Sequence, residues 1–475
     1  MELRYRWSAL THVFSRGGIH ALYNSLKLRP IYVDGDVLAL AQAFGGGATF
    51  SEVLIGASPT QSGKFQRAFP ALCEAKILVD AESTDEDIID FFRDHYLGHP
   101  YVSIAYFILT DACNLACKYC FVENRIPAGH LFRQMDVATV VNGLDFFGRL
   151  MRLVPAHFEE EKTIVLYGGE PLINIVALRV LLGEVAVRRS DGRFPQNVRI
   201  NMVSNATLVT PEVARLLAEN RVGVAVSLDG GATATNSARQ SKDGTSVFDD
   251  ACRGFDVLRA EGVDVGVSCT LTEGSLENFD ATLEVLLERF QAKTLGFNIL
   301  LSSDAYPLAS GYDERASRAI IKGFEMFRRR NVFEDRMMRK LNAFTKGEVY
   351  PFDCGAAGGG QIIIAPDGAV GICHGYLGSR KYFMTTVDDK RFDPARDAVF
   401  VEWAQRSPLA MPQCRACPAL GICGGGCPLN ADHEGGSIWE CDRRFCVHAL
   451  ATLEWLIWDL YRQMQDLGST DDMGA

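Results

Sequence analysis

No stretch of this 475-residue sequence approaches the roughly 20 consecutive apolar residues that a membrane-spanning helix needs. The start, MELRYRWSALTHVF, lacks a signal-peptide pattern. Positive charge is in deficit: 48 Lys and Arg stand against 59 Asp and Glu, a net charge of −11, which argues against a general nucleic-acid binder. Internal repeats and low-complexity tracts are also missing. These absences point to a cytoplasmic protein with neither membrane nor nucleic-acid partners. That compartment keeps thiols reduced. Yet the chain has 14 cysteines, eight of them between Cys354 and Cys446, and in such a compartment the cluster reads as metal ligation.

The 48% apolar and 23% charged residues are those of a globular chain, and the length calls for two to four domains. Residues 1–82 read as a small winged-helix-like module. Short strands (LTHVF, GIHALYNSLKL, RPIYVD) come first, then helices at GDVLALAQAF and KFQRAFPALCEAKIL. A linker helix fills 83–100. From 101 to 310 apolar runs alternate with helical segments: VSIAYFIL, TIVLYG, VRINMVS, VGVAVSL, VDVGVSC and LGFNIL. Continuous apolar strands of this kind belong to a parallel sheet buried on both faces. Six such units predict an α/β fold, a partial (β/α)6 TIM-like barrel with its chemistry at the C-terminal strand ends. Residues 311–350 read as a helical connector. Residues 351–466 form a Gly- and Cys-rich domain in which metal sites take the place of a conventional core, closed by an amphipathic helix. A disordered tail is expected at 467–475.

The first strand of the series ends at TDACNLACKYCF, which spaces Cys113, Cys117 and Cys120 as C-x3-C-x2-C. Zinc wants a fourth ligand, and the nearest histidine, His130, lies beyond the loop. Three thiolates on a four-iron cluster leave one iron open for a substrate or cofactor. Cys113, Cys117, Tyr119 and Cys120 match the C-x3-C-x-aromatic-C motif, and the sequence here resembles the radical S-adenosylmethionine (SAM) enzymes. The resemblance implies a [4Fe–4S] cluster whose open iron binds SAM, and a 5′-deoxyadenosyl radical that abstracts a hydrogen atom from carbon. It extends to YGGEP, where Gly168, Gly169 and Glu170 are expected beside the SAM amino group. It also takes in Ser204 and Asn205 (VSNATL) for the ribose, Ser227 and Asp229 (VSLDG) at the fourth strand end, and Arg239 for the SAM carboxylate.

The later cysteines are Cys354, Cys373, then Cys414, Cys417, Cys423 and Cys427 in C-x2-C-x5-C-x3-C spacing, then Cys441 and Cys446. By themselves they fit structural zinc and iron–sulfur equally. Behind a radical SAM barrel they resemble the SPASM extension, which implies two auxiliary [4Fe–4S] clusters and three clusters in all. The resemblance assigns Cys354, Cys373 and Cys427 to the first. Cys414, Cys417, Cys423 and a last cysteine, Cys446 in preference to Cys441, go to the second. The first cluster has either an open iron or Cys441 as fourth ligand. Sulfatase maturases with this extension carry an aspartate after the second cysteine as catalytic base. Here His374 stands there, either as a base or as a hydrogen-bond partner of cluster sulfur.

The front module resembles the peptide-recognition element of ribosomal-peptide modifying enzymes, which adds a leader peptide to a sheet edge. The leading expectation is a radical SAM/SPASM maturase that installs a thioether or carbon–carbon cross-link in a precursor peptide, with an external donor such as flavodoxin or ferredoxin. Two alternatives are formylglycine formation, as by a sulfatase maturase, and a zinc-stabilised interaction or regulatory protein.

Overall fold

The computed structural model describes residues 2–98, 100–122, 126–127, 129–155, 161–301, 303 and 305–471. Six short strands open the chain: β1 (Arg4–Trp7), β2 (Thr11–Arg16), β3 (Ile19–Asn24), β4 (Pro30–Val33), β5 (Ala48–Thr49) and β6 (Leu78–Asp80). They form two three-stranded sheets, ordered β2-β3-β4 and β5-β1-β6. The helix Pro59–Glu74 lies between β5 and β6, capped by Ser58 and started by Pro59.

The barrel strands are β7 (Ile104–Thr110), β8 (Thr163–Gly168), β9 (Arg199–Ser204), β10 (Val222–Ser227), β11 (Val265–Leu271) and β12 (Thr294–Ile299). All pair in parallel and in sequence order. They coincide with the apolar runs read from the sequence, because strands covered on both faces keep few polar residues. Helices return the chain between them. One, Val137–Met151, is capped by Asp136; another, Pro211–Glu219, is capped by Thr210 and begins with a proline.

The sheet is longer than the sequence implies. β13 (Phe333–Glu334) extends it beyond β12. On the other side β14 (Gln361–Ile364) pairs in parallel with Ile104–Phe107 of β7, and β15 (Ala369–Gly371) and β16 (Phe383–Thr386) follow antiparallel. The Cys-rich unit is therefore joined to the barrel by one ten-stranded sheet.

The closing helix Arg443–Asp471 runs past position 466, and residues 472–475 of the expected tail lie outside the described residues. The front module packs on this helix. Alternate residues of β3 separate by face: Ala21 and Tyr23 join a core with Leu453, Ile457 and Trp458, while Leu22 joins Phe44, Phe65 and Leu72 on the other side. Tyr32 donates its hydroxyl to the Ile457 carbonyl. No helix among the described residues is long and apolar enough to cross a membrane.

Candidate active site

The three-cysteine loop leaves the end of β7 and is strapped at both sides. Asp111 is buried and accepts from the Arg133 backbone at 2.6 Å and from His130 Nε2 at 2.7 Å. Ala116 N donates to Gln240 O, and Lys118 N to Ala238 O, so the loop lies along the segment that carries Arg239. Cys113, Cys117 and Cys120 are all half-buried. Burial pushes the Cys113 thiol up to about 12, against a hydrogen bond from Leu115 N that favours the thiolate. The bare thiol thus holds its proton, and a metal would have to displace it.

The GGE stretch holds this loop from the neighbouring strand. Gly169 N donates to Thr110 O and Glu170 N to Ala112 O, both at 2.9 Å. A Cβ on Gly169 would stand 2.1 Å from the Ala112 carbonyl oxygen. Glycine is needed here because another backbone lies against it. The Gly169→Ala variant should push the three-cysteine loop away from the strand end and lower the melting temperature, as thermal melts would show.

Glu170 turns inward. Its carboxylate accepts from Ser204 Oγ and Asn205 N, each at 2.8 Å, and from Leu172 N at 3.2 Å. It ties the end of β8 to the end of β9. Burial raises it to about 7 despite those donors. A carboxyl raised in the folded state keeps its proton where the unfolded chain has lost it. The stability this confers is full below the usual carboxylate range and is lost as pH rises to about 7. Thermal melts against pH should show that decline in the wild type and a flatter profile in Glu170→Gln across the same window.

Asn205 also reaches the cysteines: its Nδ2 donates to Asn114 Oδ1 at 2.9 Å and lies 3.9 Å from Cys113 Sγ. Asn114 in turn donates to Thr207 Oγ1 at 2.8 Å. Ser227 is half-buried at the end of β10. Beyond it Asp229 is fully buried and collects Arg239 Nε at 2.9 Å, Arg239 Nη2 at 3.2 Å, Thr270 N at 3.0 Å and the Tyr119 hydroxyl. The Arg239 guanidinium lies 5.4 Å from the Tyr119 ring centre. Burial drives Tyr119 well above its ordinary value, so it stays a neutral donor to Asp229. Asp229 is the hub: the sequence placed it with Ser227 at this strand end, and the fold adds its pairing with Arg239.

His374 looks into the barrel from the Cys-rich side. Its ring is 5.1 Å from Tyr106 (stacked), 4.9 Å from Tyr167 and 5.2 Å from Phe121. Burial lowers it to about 4, so the imidazole is neutral. Its Nδ1 is buried with no hydrogen-bond partner.

The later cysteines fall into two groups. Cys354 and Cys427 are neighbours, and Tyr106 borders Cys354 and Cys373. Cys414, Cys417, Cys423, Cys441 and Cys446 gather in the other group, where Cys441 interacts with both Cys414 and Cys446. Among the described residues no three Cys, His, Asp or Glu side chains converge on a point the size of a single ion. A cluster of several irons spreads its thiolates more widely than one zinc does, and the thiol groups suit it chemically. Two cations that sequence reading missed lie here. Lys340, 1% exposed, is 3.5 Å from the Cys423 carbonyl and 3.7 Å from Asp353. Arg444 binds Asp442 and donates to Ile299 O at the end of β12.

Residues 107–287 match the family model described as the radical SAM superfamily. The chain carries a radical SAM domain. The family implies a [4Fe–4S] cluster and SAM, chemistry that a zinc-stabilised regulatory protein would not need. Among curated relatives, the radical SAM cyclopropyl synthase TigE of Paramaledivibacter caminithermalis is 20% identical over 71% of this chain and 70% of its own. The serine-type anaerobic sulfatase-maturating enzyme of Klebsiella aerogenes is 26% identical over 69% of this chain and 79% of its own. Two solved structures share the radical SAM enzyme's fold. Native anSMEcpe with bound AdoMet matches at TM-score 0.63 and 17% identity, covering 76% of this chain and 99% of its own. Streptococcus suis SuiB bound to precursor peptide SuiA matches at TM-score 0.53 and 15% identity, covering 93% of this chain and 99% of its own.

Proposed function

We propose that this radical SAM enzyme is a peptide maturase that installs a thioether or carbon–carbon cross-link in a ribosomally made precursor. The observation that carries the reading is the extent of the likeness to SuiB. At 93% of the chain it leaves too little uncovered to omit the front module. In that module β2 and β4 are the outer strands of their sheet, and such edges are where a leader peptide adds as a further strand.

SAM, when bound, supplies the radical that removes a hydrogen atom from the peptide. The chain's own part is to hold and orient. Cys113, Cys117 and Cys120 hold the cluster, while Asn205 and Arg239 border it. Asp229 fixes Nε and Nη2 of Arg239, which leaves Nη1 to meet the SAM carboxylate. Gly168, Gly169 and Glu170 set the height of the loop, and Ser204 and Ser227 line the neighbouring strand ends. Cys354, Cys373 and Cys427 hold a first auxiliary [4Fe–4S] cluster. Cys414, Cys417, Cys423 and Cys446 or Cys441 hold a second, three clusters in all. A flavodoxin or ferredoxin in the cytoplasm supplies the electron. Neutral His374 accepts a proton or a hydrogen bond at the barrel wall.

A second reading, formylglycine formation, is favoured by the relatedness to the Klebsiella sulfatase-maturating enzyme. One experiment separates the two. The anaerobically reconstituted enzyme is incubated with SAM, reductant and either a precursor encoded beside it or a sulfatase-derived peptide. Mass spectrometry of the first should show loss of two hydrogens without an aldehyde. An aldehyde-bearing product from the second alone would establish the alternative instead.

A further inference from the structure

The distal cysteine group contains one thiol more than a four-iron cluster uses. Cys414 and Cys446 each neighbour Cys417, Cys423 and Cys441, and the Cys441 thiol sits against both of them. Cys423 is buried; the other four are half-buried. The thiol neighbours of Cys441 are Cys414 and Cys446, although its backbone neighbour Asp442 also touches Cys427 of the first group. The charged neighbours of Cys427 there are Asp442 and Arg444.

Cys441 and Cys446 also share one anchor. Asp442, 1% exposed, stands next to Cys441 and at the start of the closing helix. Its carboxylate takes Cys427 N at 3.1 Å, Asn430 Nδ2 at 2.9 Å, and Arg444 Nε and Nη2 at 3.0 and 2.8 Å. Its carbonyl accepts from Phe445 N and Cys446 N, which begins the helix. Arg444 then ties the anchor to the barrel through Ile299 O at 2.6 Å. The backbone carrying both thiols is pinned, so neither cysteine can leave the group without breaking these bonds.

We propose that Cys441 and Cys446 are interchangeable ligands of one iron in the distal cluster. The exchange breaks one iron–thiolate bond as the other forms. A proton passes from the incoming thiol to the outgoing thiolate, and no electron moves. The distal site thereby stays fully ligated when either thiol is blocked. The proposal rests on the auxiliary-cluster part of the function proposed above.

The test uses reconstituted holoenzyme of full length. Iron and labile sulfide are measured in Cys441→Ala, Cys446→Ala and the double variant. Each single variant should keep the wild-type content, and the double, left with three thiolates and one open iron, should lose between about one and four irons. Loss in only one single variant, or retention in the double, overturns the proposal. A measurement that needs no variant is brief alkylation of the wild-type holoenzyme, with the label mapped by peptide mass spectrometry. The label should be divided between Cys441 and Cys446. Label on one of them alone means a fixed ligand and overturns the interchange while leaving the cluster in place. Label on all five distal cysteines means no cluster, and removes that part of the proposed function as well.

Discussion

Replacing Cys113, Cys117 and Cys120 together by Ala should abolish reductive SAM cleavage, with 5′-deoxyadenosine falling to background, while the iron proposed for the later cysteines remains. The two effects separate because the thiols sit in different parts of the fold. The first three lie on one loop at the end of β7, held by Gln240, Ala238 and the GGE stretch. The others lie between Cys354 and Cys446, after β13 in the chain, in the unit that joins the sheet through β14. Three ligands removed from one loop leave no partial site, so the expected loss is complete. Undiminished 5′-deoxyadenosine in the triple variant would show that the radical chemistry resides elsewhere. Loss of all iron would show that the later cysteines do not fold independently of the loop.

Deleting residues 1–82 should remove far more than leader binding. From the sequence the front module reads as a unit of its own, and its removal would then spare SAM cleavage. In the structure it shares a core with the Cys-rich unit. Tyr23 stacks on Phe344 at 6.3 Å, and Leu28 packs with Ile422 and Cys423. Leu10 and Leu26 pack with Leu409, Leu420 and Cys414. Gly421 lies so near that an added Cβ would stand 2.4 Å from the Ser25 carbonyl oxygen. A fully buried Leu- or Phe-sized side chain is worth about 1.5–3 kcal/mol. Stripping several at once approaches the roughly 5–15 kcal/mol that holds a whole domain folded. The truncated protein should be poorly soluble or depleted of distal iron, as sedimentation and iron content would report. A soluble truncated protein with full iron would mean that this shared core contributes little. Leader binding is better probed by substitutions on the outer strands than by truncation.

The barrel was legible because its strands are buried on both faces and so appear as uninterrupted apolar runs. The three-cysteine loop was legible because its spacing is short and local. β14 to β16 were not, because strands of three or four residues set among Gly and Cys carry no periodicity. Nor was the shared core: alternation along β3 shows that Ala21 and Tyr23 face one way and Leu22 the other, but not what either side meets. At the active site Glu170, Arg239 and Asp229 were found by motif, but that Asp229 positions Arg239, ten residues away, follows only from the fold.

The pairing of β14 with Ile104–Phe107 bears on how such enzymes can be recombined. A hybrid that takes its barrel from this chain and its metal-rich half from a relative, cut near residue 351, would sever a hydrogen-bonded ladder rather than a tether. The foreign strand would have to match both the register and the side-chain volumes of β7, the strand that also launches the three-cysteine loop. Mismatch there would be felt at Cys113 before it was felt at any graft junction. Exchangeable halves should therefore be chosen by the fit of the segment at 361–364 to that at 104–107, ahead of similarity anywhere else.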